Sequence, residues 1–162
     1  EGEAYFEVTK GKSFSVVSDL GTTRVLGTSF NIFARDNNYR VHCLTGKVEV
    51  KSAKGKIQIL KPHQAVTVNT KGEVKIMKHV KADHAISWTK NKFVFTAAPL
   101  KLVFEEMERQ FDIQIVFNKE ISGAYTGNFK RGSSPEEILN VIARPFGLKV
   151  EKIHQTKYKI SQ

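Results

Sequence analysis

The residues best suited to chemistry are one cysteine, five histidines and two pairs of adjacent glutamates. A zinc site needs His, Cys or carboxylate ligands at short, characteristic spacings along the chain. The histidines here are scattered along the chain, without the combined spacing of His, Cys or carboxylate ligands that a zinc site needs. They are His42, His63, His79, His84 and His154. The sequence therefore predicts no metal site.

Cys43 is the only cysteine, so the chain cannot form an internal disulfide. It follows Tyr39 and Val41 at a spacing of two residues, which places all three on one face of a predicted strand. A thiol on an apolar strand face is more often a small core residue than a nucleophile. We expect a buried, unreactive Cys43.

The paired carboxylates do not indicate acid–base catalysis either. Glu105-Glu106 and Glu136-Glu137 lie in predicted helices, where adjacent side chains point about 100° apart. Two carboxylates that flank a substrate need a shared direction, which adjacent helix positions do not give. The chain also lacks a glycine-rich phosphate loop and a G-x-S-x-G elbow. The sequence predicts neither catalytic residues nor a cofactor. We therefore expect that the protein is not an enzyme.

Positive charge is abundant but spread along the chain. The formal net charge is +10 over 162 residues, with 15 basic against 8 acidic residues in 1–90 and 11 against 8 in 91–162. Nucleic-acid binding needs a clustered basic footprint. Most lysines here alternate with apolar residues, which is typical of solvated strand faces and guarded sheet edges. The composition is that of a globular protein, and no apolar run approaches the roughly 20 residues of a membrane span.

The stretch 24–50 organises the first half of the chain. Apolar or small residues alternate at Leu26, Thr28, Phe30, Ile32 and Ala34, then again at Tyr39, Val41 and Cys43. The polar run 35–38 separates them, and Asn37 and Asn38 tolerate the backbone of a tight turn. The pattern predicts a long hairpin, with a second reversal at Thr45-Gly46 and a meander as the simplest topology.

Further short strands are predicted at 4–8, 13–17, 56–60, 65–69 and 75–80. About ten strands thus precede Trp88, and their regular spacing predicts an all-β sandwich, roll or solenoid over residues 1–88. The turn between two of them contains Pro62 and His63. We expect Asp83 to Trp88 to form a short helical turn, with Trp88 packed back on the β layer.

Residues 89–162 have a different pattern. Strands are predicted at 92–95, 113–117, 125–130, 148–153 and 156–160, with amphipathic helices after Pro99 and Pro135. Ser134 and Glu137 have the spacing of a capping box, and Gly147 is a plausible C-cap. The order predicts a small α+β domain built from two β-α-β units.

Two groups of residues resemble a known family. The run VLGTSFNIFA followed by LTGKVEV resembles the periplasmic domain of FecR-like anti-sigma regulators, and GEAYFEV resembles that domain's opening strand. The matching positions are Val25, Gly27, Thr28, Phe30, Ile32, Val41, Leu44, Gly46, Val48 and Val50. The family commonly has Gly where this chain has His63, so His63 either strains that turn or changes it.

The second half resembles the C-terminal domain found after the FecR domain in regulators of the Bacteroidota type. It is also similar to the short N-terminal domain of secretins and TonB-dependent transducers. The matching residues are Phe95, Pro99, Leu100, Gly127-Asn128-Phe129, 136–139 and 146–151.

The resemblance implies a non-enzymatic periplasmic sensor, part of a single-pass inner-membrane anti-sigma factor. Its implied partner is the N-terminal signalling domain of an outer-membrane TonB-dependent transducer. A cytoplasmic domain outside this sequence would hold an extracytoplasmic-function sigma factor, and an upstream helix, also outside it, would be the only contact with the membrane. Nucleic acid is not an expected partner. A carbohydrate-binding β module and, less favoured, a basic nucleic-acid-binding domain are the alternatives.

A partner could bind by adding a strand to an exposed sheet edge. Our candidate is the closing strand, Lys157, Tyr158, Lys159 and Ile160, because a strand at the end of a chain often lies at an edge. An ordinary strand guarded by its lysines is an equally good interpretation. On the first interpretation, deletion of 156–162 should abolish receptor binding without unfolding the β domain.

Overall fold

A computed structural model describes residues 1–130 and 132–162, which form two compact units, Glu1–Lys90 and Asn91–Gln162. The described residues of the first unit form nine strands, a short helix and a 3₁₀ turn. The strands are β1 (Gly2–Glu7), β2 (Ser13–Ser18), β3 (Gly21–Leu26), β4 (Ser29–Arg35), β5 (Asn38–Cys43), β6 (Val48–Ser52), β7 (Ile57–Leu60), β8 (Gln64–Asn69) and β9 (Val74–Lys78). The helix α1 (Ala82–Ala85) and the 3₁₀ turn Ser87–Lys90 follow.

These strands form two antiparallel sheets, in the orders β1-β4-β5-β8-β9 and β2-β3-β6-β7. Inward-facing residues from both sheets make one core, which is the arrangement of a β-sandwich. Its buried members are Val25, Phe30, Ile32, Tyr39, Val41, Cys43, Val48, Val50, Leu60, Val66 and Val68. The expected all-β domain is confirmed, and of the three architectures left open it is the sandwich.

The predicted meander is wrong. Four hairpins follow one another along the chain, β2-β3, β4-β5, β6-β7 and β8-β9, and they alternate between the two sheets. The chain therefore crosses sheets at Gly27, whose φ is 92°. A Cβ there would lie 2.3 Å from the Cα of Lys10. Leu26, expected on the same face as Phe30, ends β3 in the other sheet and is exposed.

Two turn predictions are resolved by backbone angles. The β4-β5 hairpin turns at Asp36 and Asn37, with φ of 50° and 59°, one residue earlier than the predicted pair Asn37 and Asn38. Positive φ at both central residues is the requirement of a type I′ turn. His63 has a φ of 64°, so this histidine adopts a left-handed conformation, which glycine adopts without strain.

The prediction that Trp88 packs on the β layer is confirmed. Its indole Nε1 donates a hydrogen bond to Oδ1 of Asn31 in β4, at 3.2 Å. The Nδ2 of Asn31 donates to Oε1 of Glu3 in β1, at 2.8 Å. The 3₁₀ turn is thereby joined to two strands of the five-stranded sheet through a side chain, Asn31, that is itself buried.

The second unit contains β10 (Lys92–Pro99), α2 (Leu100–Phe111), β11 (Gln114–Phe117), β12 (Ala124–Lys130), α3 (Pro135–Ala143), a 3₁₀ turn (Arg144–Phe146), β13 (Lys149–His154) and β14 (Lys157–Ser161). The chain contains two successive strand-helix-strand segments and ends with one more strand, as expected. The predicted α+β class is confirmed. The strands are divided between a β10-β12 pair and a three-stranded sheet, β11-β14-β13.

Helix ends in this unit follow the sequence signals. Ser134 accepts a hydrogen bond from the backbone of Glu137, whose side chain accepts one from the backbone of Ser134, which completes the capping box. Gly147 ends the 3₁₀ turn in the left-handed conformation, with a φ of 66°. The apolar stripes of α2 and α3 pack on residues of the sheets. The buried cluster is Leu100, Val103, Phe104, Met107, Ile115, Tyr125, Ile138, Leu139, Ile142, Ala143, Tyr158 and Ile160.

No helix in the described part of the chain is long and apolar enough to cross a membrane.

Candidate protein-binding surface

The predicted partner-binding strand lies in the middle of its sheet. Lys157 to Ile160 pair in parallel with β11 on one side and antiparallel with β13 on the other. The expectation of an edge strand is therefore wrong, because both rows of backbone groups in β14 are already paired. The last strand of the chain lies between two strands that precede it in sequence. Local sequence pattern does not indicate this order.

The four predicted residues are also divided between the two faces of the sheet. Tyr158 and Ile160 are buried in the core beneath the helices. Lys157 and Lys159 lie on the opposite face, where they are partly exposed. Only the two lysines can offer side chains to a partner.

The lysines have neighbours of the same charge on that face. Lys149 of β13 is paired with Ser161 of β14, which lies on the same face as Lys157 and Lys159. Lys149 therefore shares the side of the sheet away from the helices with these two lysines. Glu151, paired with Lys159, lies on that side as well. We call the surface formed by Lys149, Lys157 and Lys159 the lysine face. Glu151 is the one acidic residue that β13 and β14 place on it.

The free edges of this sheet are β11 and β13, and they differ. Strand β13 carries Lys149, Glu151 and Lys152, and its register shifts between Lys152 and His154. Charges and bulges are the usual protection of an edge against unwanted pairing. Strand β11 has the sequence QIVF and no charged residue.

A side chain occupies part of the β11 edge. Oε1 of Glu108, in the last turn of α2, accepts a hydrogen bond of 2.6 Å from the backbone N–H of Ile115. This contact is not predicted by the sequence. The one available signal was a glutamate near the C-terminus of a helix, where the helix dipole disfavours negative charge.

Burial shifts the pKa of Cys43 and of His42, both in the first unit. Cys43 is buried, as expected, and burial raises the pKa of its thiol to about 11, so the thiolate is scarce at neutral pH. Desolvation, with the charge of Arg40 as a second cause, lowers the pKa of His42 to about 4. The Nδ1 of His42 is buried without a hydrogen-bond partner.

Two kinds of ligand site receive no support from the described residues. His63, His79 and His84 border one shallow depression, yet no group of three possible ligands there or elsewhere in the described part could hold a metal ion. Sugar-binding modules expose aromatic platforms. Among the large apolar side chains that the structure describes as exposed, Phe14 is the only aromatic one.

Comparison with known proteins identifies both halves of the chain. The family described as "FecR protein" matches residues 1–49, and the one described as "FecR, C-terminal" matches residues 92–160. Together they cover more than half of the chain. No curated protein matches the sequence significantly.

Two crystal structures of a candidate anti-sigma factor from Parabacteroides distasonis ATCC 8503 are similar over the whole length. Each is 29% identical in sequence, and the TM-scores are 0.86 and 0.87. The alignments cover 99% and 100% of this chain and 77% and 78% of the other chains. The chain therefore belongs to the FecR family of anti-sigma factors and carries a FecR domain followed by a FecR C-terminal domain.

Proposed function

We propose that this chain is the periplasmic sensor of an inner-membrane anti-sigma factor. In this role it receives a signal from the N-terminal signalling domain of an outer-membrane TonB-dependent transducer. The signal passes to an extracytoplasmic-function sigma factor through a cytoplasmic domain outside these 162 residues. Residues 1–88 act as the FecR domain, and residues 89–162 as the α+β domain that carries the candidate receptor-binding surface.

The observation that carries the proposal is the pair of FecR domains in a fold shared, from end to end, with a candidate anti-sigma factor. The surface supports it as well. A sensor that binds another protein needs a recognition surface rather than a reactive centre. The second unit offers one in the lysine face and the uncharged β11 edge.

The direct test is a calorimetric titration of the chain with the isolated signalling domain of the transducer encoded beside it, at 50 mM and 300 mM salt. We expect saturable binding at both concentrations, with a moderate loss of affinity at high salt because lysines contribute. A signalling domain from an unrelated transducer is the matched control. Absence of saturable binding, together with salt-sensitive binding to DNA, would contradict the proposal and favour the basic-domain alternative.

A further inference from the structure

The β11 edge exposes backbone groups in a regular order. The N–H of Gln114 donates to the carbonyl of Thr156 at 2.8 Å, and that of Asn118 donates to the carbonyl of Ile160 at 3.3 Å. Both point toward β14. Since successive residues of a strand point their backbone groups to opposite sides, Ile115 and Phe117 point theirs away from the sheet. These are the groups that an added strand would pair with.

Glu108 already holds one of them. Its carboxylate accepts from the Ile115 N–H at 2.6 Å, within the range of charge-assisted hydrogen bonds. An acidic side chain in the last turn of α2 is disfavoured by the helix dipole, and the bond to Ile115 offsets that cost. A second strand can bond to Ile115 only after the carboxylate has left.

The lysine face determines which strand would fit. Val116 lies beside Lys159 and Gln114 beside Lys157, on the same face. Strands in a sheet are about 4.8 Å apart, so an added strand would lie about 10 Å from β14. A lysine and a glutamate side chain can together span that separation. Acidic residues on this face of the added strand would therefore meet Lys157 and Lys159.

We propose that β11 accepts a strand from a protein partner, and that Glu108 closes this edge in the free protein. The added strand carries acidic residues toward the lysine face and apolar residues toward the core side, next to Phe117. In the signalling system proposed above, on which this inference rests, that strand belongs to the transducer's signalling domain. Binding then begins with displacement of the Glu108 carboxylate from Ile115.

Two variants separate the closing contact from general helix effects. Glu108→Ala removes the contact and keeps a good helix former. Glu105→Ala is the matched control, since Glu105 lies on the same helix and makes only a 3.9 Å surface pair with Lys101. In amide hydrogen exchange of the whole chain, Ile115 should exchange at least tenfold faster in Glu108→Ala and unchanged in the control. The buried Leu139 reports that both variants remain folded.

The same variants are then titrated with the signalling domain. Because the edge no longer has to be opened, Glu108→Ala should bind about five- to tenfold more tightly than the wild type. Lys159→Glu should bind about tenfold more weakly, whereas Lys71→Glu, in the exposed β8-β9 turn, should be unaffected.

The outcomes distinguish this inference from the proposed function. The inference is supported if only Glu108→Ala binds the signalling domain, or if it binds more tightly than the wild type does. Equal affinity of the wild type, Glu108→Ala and Lys159→Glu overturns the inference and leaves the proposed function standing. Binding by none of them refutes the proposed function and the inference with it.

Discussion

Acidification should destabilise the first unit through His42. This residue lies on β5, in register with Asn31 of β4 and Ala65 of β8. Burial lowers its pKa to about 4 in the folded protein, whereas an exposed histidine in the unfolded chain has a pKa of about 6.5. Its buried Nδ1 lacks a partner that would stabilise the added proton.

The sign follows from which state binds the proton. Between pH 6.5 and pH 4 the unfolded chain protonates His42 and the folded protein does not, so the free energy of unfolding falls as the pH falls. For pKa values of about 4 and 6.5, the loss relative to pH 7.5 is about 2 kcal/mol at pH 5 and about 3 kcal/mol at pH 4. Small domains have only about 5–15 kcal/mol of stability, so the effect is measurable.

The assay is urea unfolding followed by the fluorescence of Trp88, which lies in the same unit and is bonded to Asn31. Carboxylates also titrate near pH 4 and 5, so the informative quantity is the difference in the free energy of unfolding between the wild type and His42→Leu. Between pH 7.5 and pH 5 this difference should change by about 2 kcal/mol, because the wild type loses stability that the variant keeps. Parallel pH profiles of the two proteins would refute the reasoning.

Substitutions at three further positions test backbone and capping arguments, each by urea unfolding at pH 7.5. His63→Gly should raise the free energy of unfolding by about 0.5 kcal/mol by relieving the left-handed backbone, whereas His63→Val should lower it by about 1–2 kcal/mol; the reverse order would contradict the strained turn. Gly27→Ala should lower the free energy of unfolding by about 3 kcal/mol, since the new Cβ would meet the backbone of Lys10. A loss below about 1 kcal/mol would mean that the backbone at this crossing relaxes easily. Ser134→Ala should cost about 1 kcal/mol by removing the cap of α3, with Ser134→Asp as a control that keeps it; equal stability of the two variants would argue against the cap.

The sequence was most informative where a signal is local. The capping box at Ser134, the left-handed Gly147 and the apolar stripes of both long helices depend on neighbours within a few residues. Each was predicted at its place in the structure. The predicted position of the hairpin turn differs from the observed one by one residue. Asp36, Asn37 and Asn38 all tolerate positive φ, and only the strand register determines which two of them form the turn.

Strand pairing was not predictable in the same way. Alternation shows which side chains share a face, but it does not show which strands are neighbours. Leu26 and Phe30 have the right spacing for one face, yet the chain crosses between sheets at Gly27, which lies between them. The contact of Glu108 with Ile115 joins a helix end to a strand edge through one side chain, and no periodic pattern encodes such a bond.

The central place of β14 changes how the partner surface must be tested. Deletion of residues 156–162 would remove Tyr158 and Ile160 from the core and would leave β11 and β13 without their common neighbour. Loss of binding in that deletion would follow from unfolding of the second unit, whether or not the lysines touch a partner. Substitutions at Lys157 and Lys159 keep the strand and the core, so only they separate recognition from folding.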